Sequence, residues 1–238
     1  MSVQATFNPA SGKLIEDDRG ERYRITDLLG RQGVVGDGPQ TFVIEGLGAG
    51  ALVGPHFHVV DQFQVFIAGS GRIGSRNIEP ILIHYTDAFT PYGPIVGGPV
   101  GFEYVTVRRT ADPGPKYMPA SRAQRERLGG RHIVTQFDPS FEDSHIVLQR
   151  QPDGLAIEAI HAEPGRNLTW LEPENPGGTH IFVLDGTVWS EGAELGKIAN
   201  IFVRPGEALP VLKAGEAGGR AVLLHFPDLA GSAEDDSR

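Results

Sequence analysis

The sequence predicts an all-β protein built from two antiparallel β-barrels in tandem. Three observations lead to this prediction. Short runs rich in β-branched and aromatic residues recur from Thr41 onward, each bounded by Gly or Pro. Gly and Pro account for 32 and 18 of the 238 residues, which suits strands joined by turns better than a helical bundle. The two halves of the chain also repeat one order of strands and turns.

The predicted strands form two sets separated by a different kind of sequence. The first set is TFVIEGL, PHFHVVDQFQVFIAG, RIGS, PILIHYT and GFEYVTVRR. The stretch 111–130 is Pro-rich and then basic, and we interpret it as a linker with a short helix-compatible part. The second set is RHIVTQF, HIVLQRQ, GLAIEAIHAE, HIFVLDGTVW, IANIFVR and RAVLLHF.

These sets predict the domain boundaries. We expect an N-terminal barrel with an N-terminal extension at 1–110, the linker at 111–130 and a C-terminal barrel at 131–230. The polar, acidic tail at 231–238 is predicted to be disordered.

Composition and charge exclude several classes of function. A chain without cysteine has no disulfide, no thiolate nucleophile and no cysteine-based metal site. A net charge of −9 does not provide the basic surface that nucleic acid requires, so we expect no nucleic-acid partner. The N-terminus has no apolar signal region, and no stretch approaches eighteen apolar residues. We therefore expect a cytoplasmic protein with no membrane partner.

An internal repeat supports the two-barrel prediction. The segments QVFIAGSGRIG and IFVLDGTVW both consist of a strand, a Gly turn and a strand. The offsets between corresponding residues stay close together: 117 from Gly69 to Gly186, 120 from Asp87 to Glu207 and 118 from Tyr104 to Val222. A nearly constant offset indicates two copies of one β-unit of about 100 residues.

The stretch PHFHVVDQFQVFIAG carries a family resemblance. It resembles the first motif of the cupins, in which His-x-His is followed by Glu and then by Gly. Here His56 and His58 occupy the two histidine positions, Gly69 occupies the glycine position, and Gln62 stands at the glutamate position. The second cupin motif, Pro-x-Gly-x-x-His, is matched in part by Pro91, Tyr92 and Gly93.

The second motif departs from the family pattern at its last position, because Val96 stands where the histidine is expected. The resemblance covers about residues 40–108 and 150–228, and the C-terminal copy is similar in layout only. It implies two tandem jelly-roll barrels, a bicupin, with a degenerate metal motif in the N-terminal copy.

The two motif histidines point to metal chemistry. In a strand, His56 and His58 project from the same face, with Cβ atoms about 7 Å apart. Neutral imidazole binds Zn, Cu, Fe or Ni. The resemblance implies a site made of His56, His58 and Gln62 that holds one divalent transition metal ion (Zn, Fe, Ni or Mn). The alternative is a hydrogen-bonded pair of barrel histidines with no metal.

The same alternation separates a polar face from an apolar one. Gln62, Gln64 and Phe66 share the inner face with the histidines. The opposite face is apolar, and its residues are Phe57, Val59, Phe63, Val65 and Ile67. We expect the other barrel or a second subunit to cover it, so a homodimer is one expected assembly.

Further candidates lie near the expected barrel mouth. Tyr92 and Tyr104 are predicted to be catalytic residues together with His56 and His58, and Tyr92 would donate a hydrogen bond to a substrate oxygen. Tyr104 and Glu103 alternate, so one of them faces inward. His84 precedes a turn and is a candidate replacement ligand or base.

Three functions remain open from the sequence. The first is a metal-dependent enzyme that acts on a small carbonyl- or enol-containing molecule by non-redox isomerase, lyase or cyclase chemistry, with a cupin dioxygenase as its alternative. A neutral ligand set favours Lewis-acid chemistry over oxygen activation. The second is a non-catalytic bicupin that binds a small ligand. The third is a metal-free barrel enzyme that uses His56 or His58 as a general base.

Overall fold

Two compact units divide the chain in the computed structural model, which describes residues 2–16, 20–36 and 38–228. The N-terminal unit comprises residues 8–139, and the C-terminal unit comprises residues 2–7 and 140–228. Among the described residues, the helical segments are two 3₁₀ turns, Pro9–Ser11 and Arg122–Gln124. The all-β prediction is confirmed. In the described ranges we find no helix with the length and apolar character needed to span a bilayer.

The N-terminal unit is built on one antiparallel sheet. Strand β1 (Val3–Ala5) belongs to the other unit, and the strands that follow it are β2 (Lys13–Glu16), β3 (Arg22–Leu29), β4 (Gln40–Leu47), β5 (Leu52–Val53), β6 (His56–Phe57), β7 (Gln62–Ile73), β8 (Arg76–Ile78), β9 (Leu82–Thr86), β10 (Ile95–Arg108), β11 (Lys116–Tyr117) and β12 (His132–Gln136). The sheet order is β12-β9-β7-β10-β4-β3-β2. Strands β6 and β11 pair separately with each other.

The C-terminal unit has a sheet with a matching strand order. Its remaining strands are β13 (His145–Leu148), β14 (Ala156–Ala162), β15 (Thr179–Ser190), β16 (Ala193–Leu195), β17 (Asn200–Val203) and β18 (Lys213–His225). The order β1-β17-β15-β18-β14-β13 corresponds strand by strand to β12-β9-β7-β10-β4-β3. The repeat read from the sequence is therefore present in the topology.

Two glycines of the repeat have the same structural role. Gly69 and Gly186 both have a positive φ, 82° and 67°. A Cβ on Gly69 would overlap the carbonyl oxygen of Gly101, and a Cβ on Gly186 would overlap that of Gly218. Both positions need a left-handed backbone in close contact with the neighbouring strand, which only glycine tolerates well.

The two units divide the chain at positions other than the predicted domain boundaries. Residues 111–130 lie within the N-terminal unit, where β11 pairs with β6. Strand β12, predicted in the C-terminal barrel, extends the N-terminal sheet by pairing with β9, and β1 extends the C-terminal sheet by pairing with β17. These pairings provide hydrogen-bond partners for the backbone groups at a sheet edge. The order of strands along the sequence does not reveal which strand pairs with such an edge. The tail predicted at 231–238 lies outside the described residues.

The two faces of the N-terminal sheet are both largely buried. The inner face carries the hydrophobic cluster that includes Phe66 and Tyr104. On the opposite face, Phe63 and Val65 of β7 are fully buried, as expected for an apolar face, and Phe57 of the separate strand β6 is fully buried too. The polar residues predicted on the inner face are also buried, and they form the site described next.

Candidate functional site

A short backbone bridge brings His56 and Tyr92 together. The backbone N–H of His56 donates to the Tyr92 carbonyl (3.1 Å), and the N–H of Tyr92 donates to the His56 carbonyl (2.9 Å). The two ring centroids are 4.5 Å apart. The incomplete second motif therefore lies against the first motif, as its position in the family pattern implies.

The protonation of His56 follows from its hydrogen bond. Its Nδ1 lies 2.7 Å from the carbonyl oxygen of Gly54, which can only accept, so Nδ1 carries the proton. In the neutral ring, Nε2 then holds the lone pair. The ring is 3% exposed and meets the ring of His58 edge-on, with centroids 5.1 Å apart.

His58 is held by Asp112, a residue that sequence analysis missed. Nδ1 of His58 donates to Asp112 Oδ1 at 2.7 Å, and the backbone N–H of Val59 donates to Oδ2 at 3.1 Å. Asp112 comes from the stretch predicted as a linker and is fully buried. Burial alone would raise the pKa of Asp112, but the hydrogen bond from His58 and the positive charge of Arg108 lower it to about 2. The carboxylate is therefore ionised at neutral pH.

Arg108 places a buried guanidinium group in the centre of the site. Its side chain is 2% exposed. Nε and Nη2 both donate to Gln62 Oε1, at 3.0 and 2.8 Å, and Nη1 donates to Gln40 Oε1 at 2.9 Å. Nη2 also lies 3.1 Å from each ring nitrogen of His58. Alternation along β10 from Tyr104 through Thr106 could have placed Arg108 on the inner face.

Gln62 joins Arg108 to Tyr92. Its amide nitrogen donates to the Tyr92 hydroxyl at 2.6 Å, while its oxygen accepts the two Arg108 bonds. Burial raises the pKa of Tyr92 well above the usual value, so this hydroxyl keeps its proton. Tyr92 is therefore a hydrogen-bond donor at physiological pH.

The site residues surround a small cavity. Its volume is about 30 Å³, and its lining includes His56, His58, Tyr92, Tyr104, Arg108, Pro115 and Tyr117. All four predicted catalytic residues thus meet at one cavity. Tyr104 packs its ring against Phe66 at 4.9 Å, and burial raises its pKa well above the usual value. Pro115 and Tyr117 come from the segment that was predicted to be a linker.

His84 lies on the same inner face, and its hydrogen-bond partner is Gln64. Its Nδ1 lies 2.7 Å from Gln64 Oε1, and its buried Nε2 has no hydrogen-bond partner among the described residues. Burial, followed by the neighbouring His132 and His56, lowers the pKa of His84 well below its usual value. The ring is thus held neutral beside the ring of Tyr92, 4.7 Å away.

The buried histidines predict a loss of stability in mild acid. Burial, and then the charge of Arg108, lower the pKa of His58 from 6.5 to about 4. Between pH 6.5 and 4, His58 is protonated in the unfolded chain but stays neutral in the folded protein. The free energy of unfolding therefore falls as the pH falls through this window. We expect His58 to contribute a loss of about 3 kcal/mol, with a further loss in the same direction from His84.

Urea denaturation at pH 7, 6, 5 and 4 measures this slope. The change His58→Gln should remove the contribution of His58 from the slope of the free energy of unfolding against pH. Equal slopes in the two proteins would contradict the assignment of a neutral, buried His58. Asp112 contributes little within this window, because both its pKa of about 2 in the folded protein and its ordinary value of 3.8 lie below pH 4.

The predicted metal ligands do not fit a divalent ion as they are arranged here. Both lone pairs of the Gln62 oxygen accept hydrogen bonds from Arg108. An ion at the usual distance of about 2 Å from a His58 nitrogen would lie within about 5 Å of Arg108 Nη2. At that distance, the two positive charges of the ion and the one positive charge of Arg108 repel each other by about 7 kcal/mol at an effective dielectric constant of about 20. In the described ranges, no cluster of three or more His, Asp or Glu side chains is arranged to hold a metal.

The C-terminal unit contains a buried hydrogen-bonded chain that the sequence did not suggest. His225 Nε2 lies 2.7 Å from Glu158 Oε1, and His225 Nδ1 lies 2.9 Å from Thr179 Oγ1. Thr179 donates to Asn175 Oδ1, and Glu158 Oε2 accepts from the backbone N–H of Leu171 at 2.7 Å. Asn175 and Leu171 belong to the loop between β14 and β15. This series of hydrogen bonds therefore connects the loop to the inner face of the C-terminal sheet.

Comparisons with known proteins identify the fold. No family model matches the sequence, and no curated protein matches it. A crystal structure from Nostoc punctiforme described as a candidate dioxygenase has a TM-score of 0.66 at 15% identity, covering 96% of this chain and 84% of the other. A bacterial pirin from Escherichia coli, in complex with nickel(II), has a TM-score of 0.59 at 10% identity over 96% and 100%. A Bacillus subtilis oxalate decarboxylase has a TM-score of 0.61 at 10% identity over 93% and 76%.

These neighbours are cupin proteins. The chain has the cupin fold. Another cupin neighbour is a quercetin 2,3-dioxygenase from Acinetobacter baumannii, with a TM-score of 0.51 at 13% identity over 96% and 79%. One neighbour, the Escherichia coli pirin, was determined with nickel(II), and a structure of the Bacillus subtilis oxalate decarboxylase was used to study its Mn(II) centres. At such low identity, the likeness to these cupins establishes the fold and not the reaction.

Proposed function

We propose that the N-terminal unit is the active part of a non-redox enzyme that acts on a small carbonyl- or enol-containing molecule. The observation that carries this proposal is the His56–Tyr92 pair, whose ring centroids lie 4.5 Å apart at the wall of the cavity. His56 offers the lone pair of Nε2 as a proton acceptor, and Tyr92 offers a hydroxyl proton. A base and a hydrogen-bond donor placed side by side suit proton transfer next to a carbonyl group.

The proposed reaction is an enolisation. His56 Nε2 removes a proton from the carbon beside the carbonyl group, and the electron pair of that C–H bond forms a C=C bond. The carbonyl π electrons move to oxygen, which receives a hydrogen bond from Tyr92 and is further stabilised by the positive charge of Arg108. Return of the proton to a different carbon completes an isomerisation. Loss of a leaving group from the enolate completes an elimination.

Two neighbours prepare Tyr92 and His56 for these roles. Gln62 Nε2 donates to a lone pair of the Tyr92 oxygen, so the hydroxyl proton is directed elsewhere. The carbonyl of Gly54 fixes the tautomer of His56 that leaves the lone pair on Nε2. The cavity, at about 30 Å³, is smaller than ordinary ligand pockets of about 300–1,000 Å³, which supports substrates whose reacting end has few atoms.

The reaction as proposed uses protein groups alone. The sequence predicted one divalent metal ion held by His56, His58 and Gln62, and the cupin neighbours described with nickel or Mn(II) agree with metal binding in this fold. In this chain, however, Gln62 and His58 make their contacts to Arg108. We therefore assign no step to an ion.

Deuterium exchange tests the proposal. Hydroxyacetone, a small α-hydroxyketone, is incubated in D₂O with chelator-treated protein, and loss of its α-proton signals is followed by NMR. We expect exchange above the rate in buffer, and a fall toward the buffer rate in His56→Gln and in Tyr92→Phe. The variant His145→Gln, which alters a histidine of the C-terminal unit, is the matched control and should retain the exchange. Exchange that is absent, or that is unchanged in both variants, would overturn the proposal.

A dioxygenase is the second candidate, because two of the cupin neighbours are described as dioxygenases. Oxygen uptake with quercetin by protein loaded with nickel, iron or manganese would support it. A small cavity disfavours so large a substrate.

Binding of hydroxyacetone without exchange or oxygen uptake would favour a binding protein instead. The homodimer and the cytoplasmic location stay predictions.

A further inference from the structure

Arg108 places its charge among the residues that the cupin resemblance assigns to a metal ion. Two of the three expected ligands, His58 and Gln62, are in contact with its guanidinium group. We propose that the Arg108 guanidinium takes the place of the metal ion in this chain. The N-terminal unit then carries its cation as a side chain and excludes a divalent ion from the His56–His58 pair.

The lone pairs of the expected ligands support this inference. The oxygen of Gln62 uses both lone pairs on Arg108 N–H groups. Nδ1 of His58 donates to Asp112, so the ring nitrogen that accepts from Arg108 Nη2, 3.1 Å away, is Nε2. An incoming ion would have to displace the guanidinium group from both residues.

The balance of charge supports the same conclusion. Asp112 supplies one negative charge, which balances the one positive charge of Arg108 at 3.5 Å. The set His56, His58 and Gln62 contains no carboxylate, so a divalent ion would add two positive charges without compensation. Gln at the glutamate position of the motif is consistent with this arrangement, since a carboxylate there would leave an excess negative charge.

The inference implies a latent metal site beneath Arg108. Shortening this side chain would return the Gln62 oxygen and the His58 Nε2 lone pair to the site. His58 would stay oriented by its bond to Asp112, in the way that outer carboxylates orient metal-binding histidines. The inference does not depend on the proposed enolisation, because metal binding is measured without substrate.

Titration calorimetry with nickel(II) chloride tests the inference on the full-length chain after chelator treatment. We expect Arg108→Met to bind one nickel ion at least 100-fold more tightly than the unaltered protein. The double variant Arg108→Met/His56→Gln should lose this gain, which would place the ion at the predicted pair. Arg109→Met is the matched control, because Arg109 is the next residue and pairs with Asp61 instead. It should bind nickel as the unaltered protein does.

The outcome that overturns the inference is tight, stoichiometric nickel binding by the unaltered protein that His56→Gln abolishes and Arg108→Met does not improve. Arg108→Met leaves Asp112 without its counter-charge and could fail to fold. The double variant Arg108→Met/Asp112→Asn removes both charges and is the second test. It too should bind nickel more tightly than the unaltered protein, and equal affinity would count against the inference.

Discussion

Replacing Asp112 with asparagine is expected to lower the free energy of unfolding by about 3–5 kcal/mol. The change keeps the shape of the side chain but removes its charge, which leaves the buried guanidinium of Arg108 without a counter-ion. Removing one partner of a buried ion pair costs far more than removing one partner of an exposed pair. Urea denaturation at pH 7 followed by circular dichroism measures the difference.

The control and the double variant make this prediction specific. Glu16→Gln removes one partner of the exposed pair with Arg22, whose side chains are 65% and 61% exposed, and should change stability by less than about 0.5 kcal/mol. Asp112→Asn/Arg108→Met removes both buried charges and should recover much of the loss seen with Asp112→Asn alone. A loss below about 1 kcal/mol for Asp112→Asn would contradict the buried ion pair.

Replacing Glu158 with alanine is expected to cost a similar 3–5 kcal/mol, this time in the C-terminal unit. Glu158 is fully buried and accepts from the Leu171 backbone N–H and from His225. Its removal leaves the buried ring of His225 and the partly buried N–H of Leu171 without this acceptor, at a cost of about 1–3 kcal/mol for a group left unsatisfied, and it creates a cavity in the sheet. Thermal unfolding at pH 7 measures the loss as a lower Tm.

An exposed glutamate of the same unit provides the comparison. Glu194 accepts one exposed hydrogen bond from Thr187, so Glu194→Ala should lower the free energy of unfolding by less than about 1 kcal/mol. Similar losses for Glu158→Ala and Glu194→Ala would show that the buried chain of bonds does not stabilise the unit. The loop that carries Leu171 and Asn175 should also become sensitive to proteolysis in Glu158→Ala.

Much of the architecture could be predicted from local sequence patterns. The run QFQVFIAG alternates polar and apolar residues, and in the structure Gln62 and Phe66 face inward while Phe63 and Val65 lie buried on the other side. Gly69 and Gly186, which are 117 residues apart, have the same left-handed backbone conformation and the same close contact with a neighbouring glycine carbonyl. Alternation and glycine turns are properties of neighbouring residues, so a sequence reveals them.

The predicted site residues lie together, but the sequence did not indicate the charges beside them. His56, His58, Tyr92 and Tyr104 do line one cavity. Asp112 was missed because it lies in a stretch that looks like a linker, and its contact to His58 spans 54 residues. The stretch folds over the site because Lys116 and Tyr117 pair with Phe57 and His56. No local pattern specifies such a pairing.

The sequence by itself determined the β-strands, the internal repeat and the face on which the two histidines lie, because each depends on the spacing of residues along one strand or turn. Only the tertiary structure decided which charge stands beside those histidines. Arg108 and Gln62 are 46 residues apart in the chain and meet because β10 pairs with β7. Their contact depends on the register of that pairing and on the exclusion of water around it, and this places a guanidinium where the motif alone indicated a metal ion.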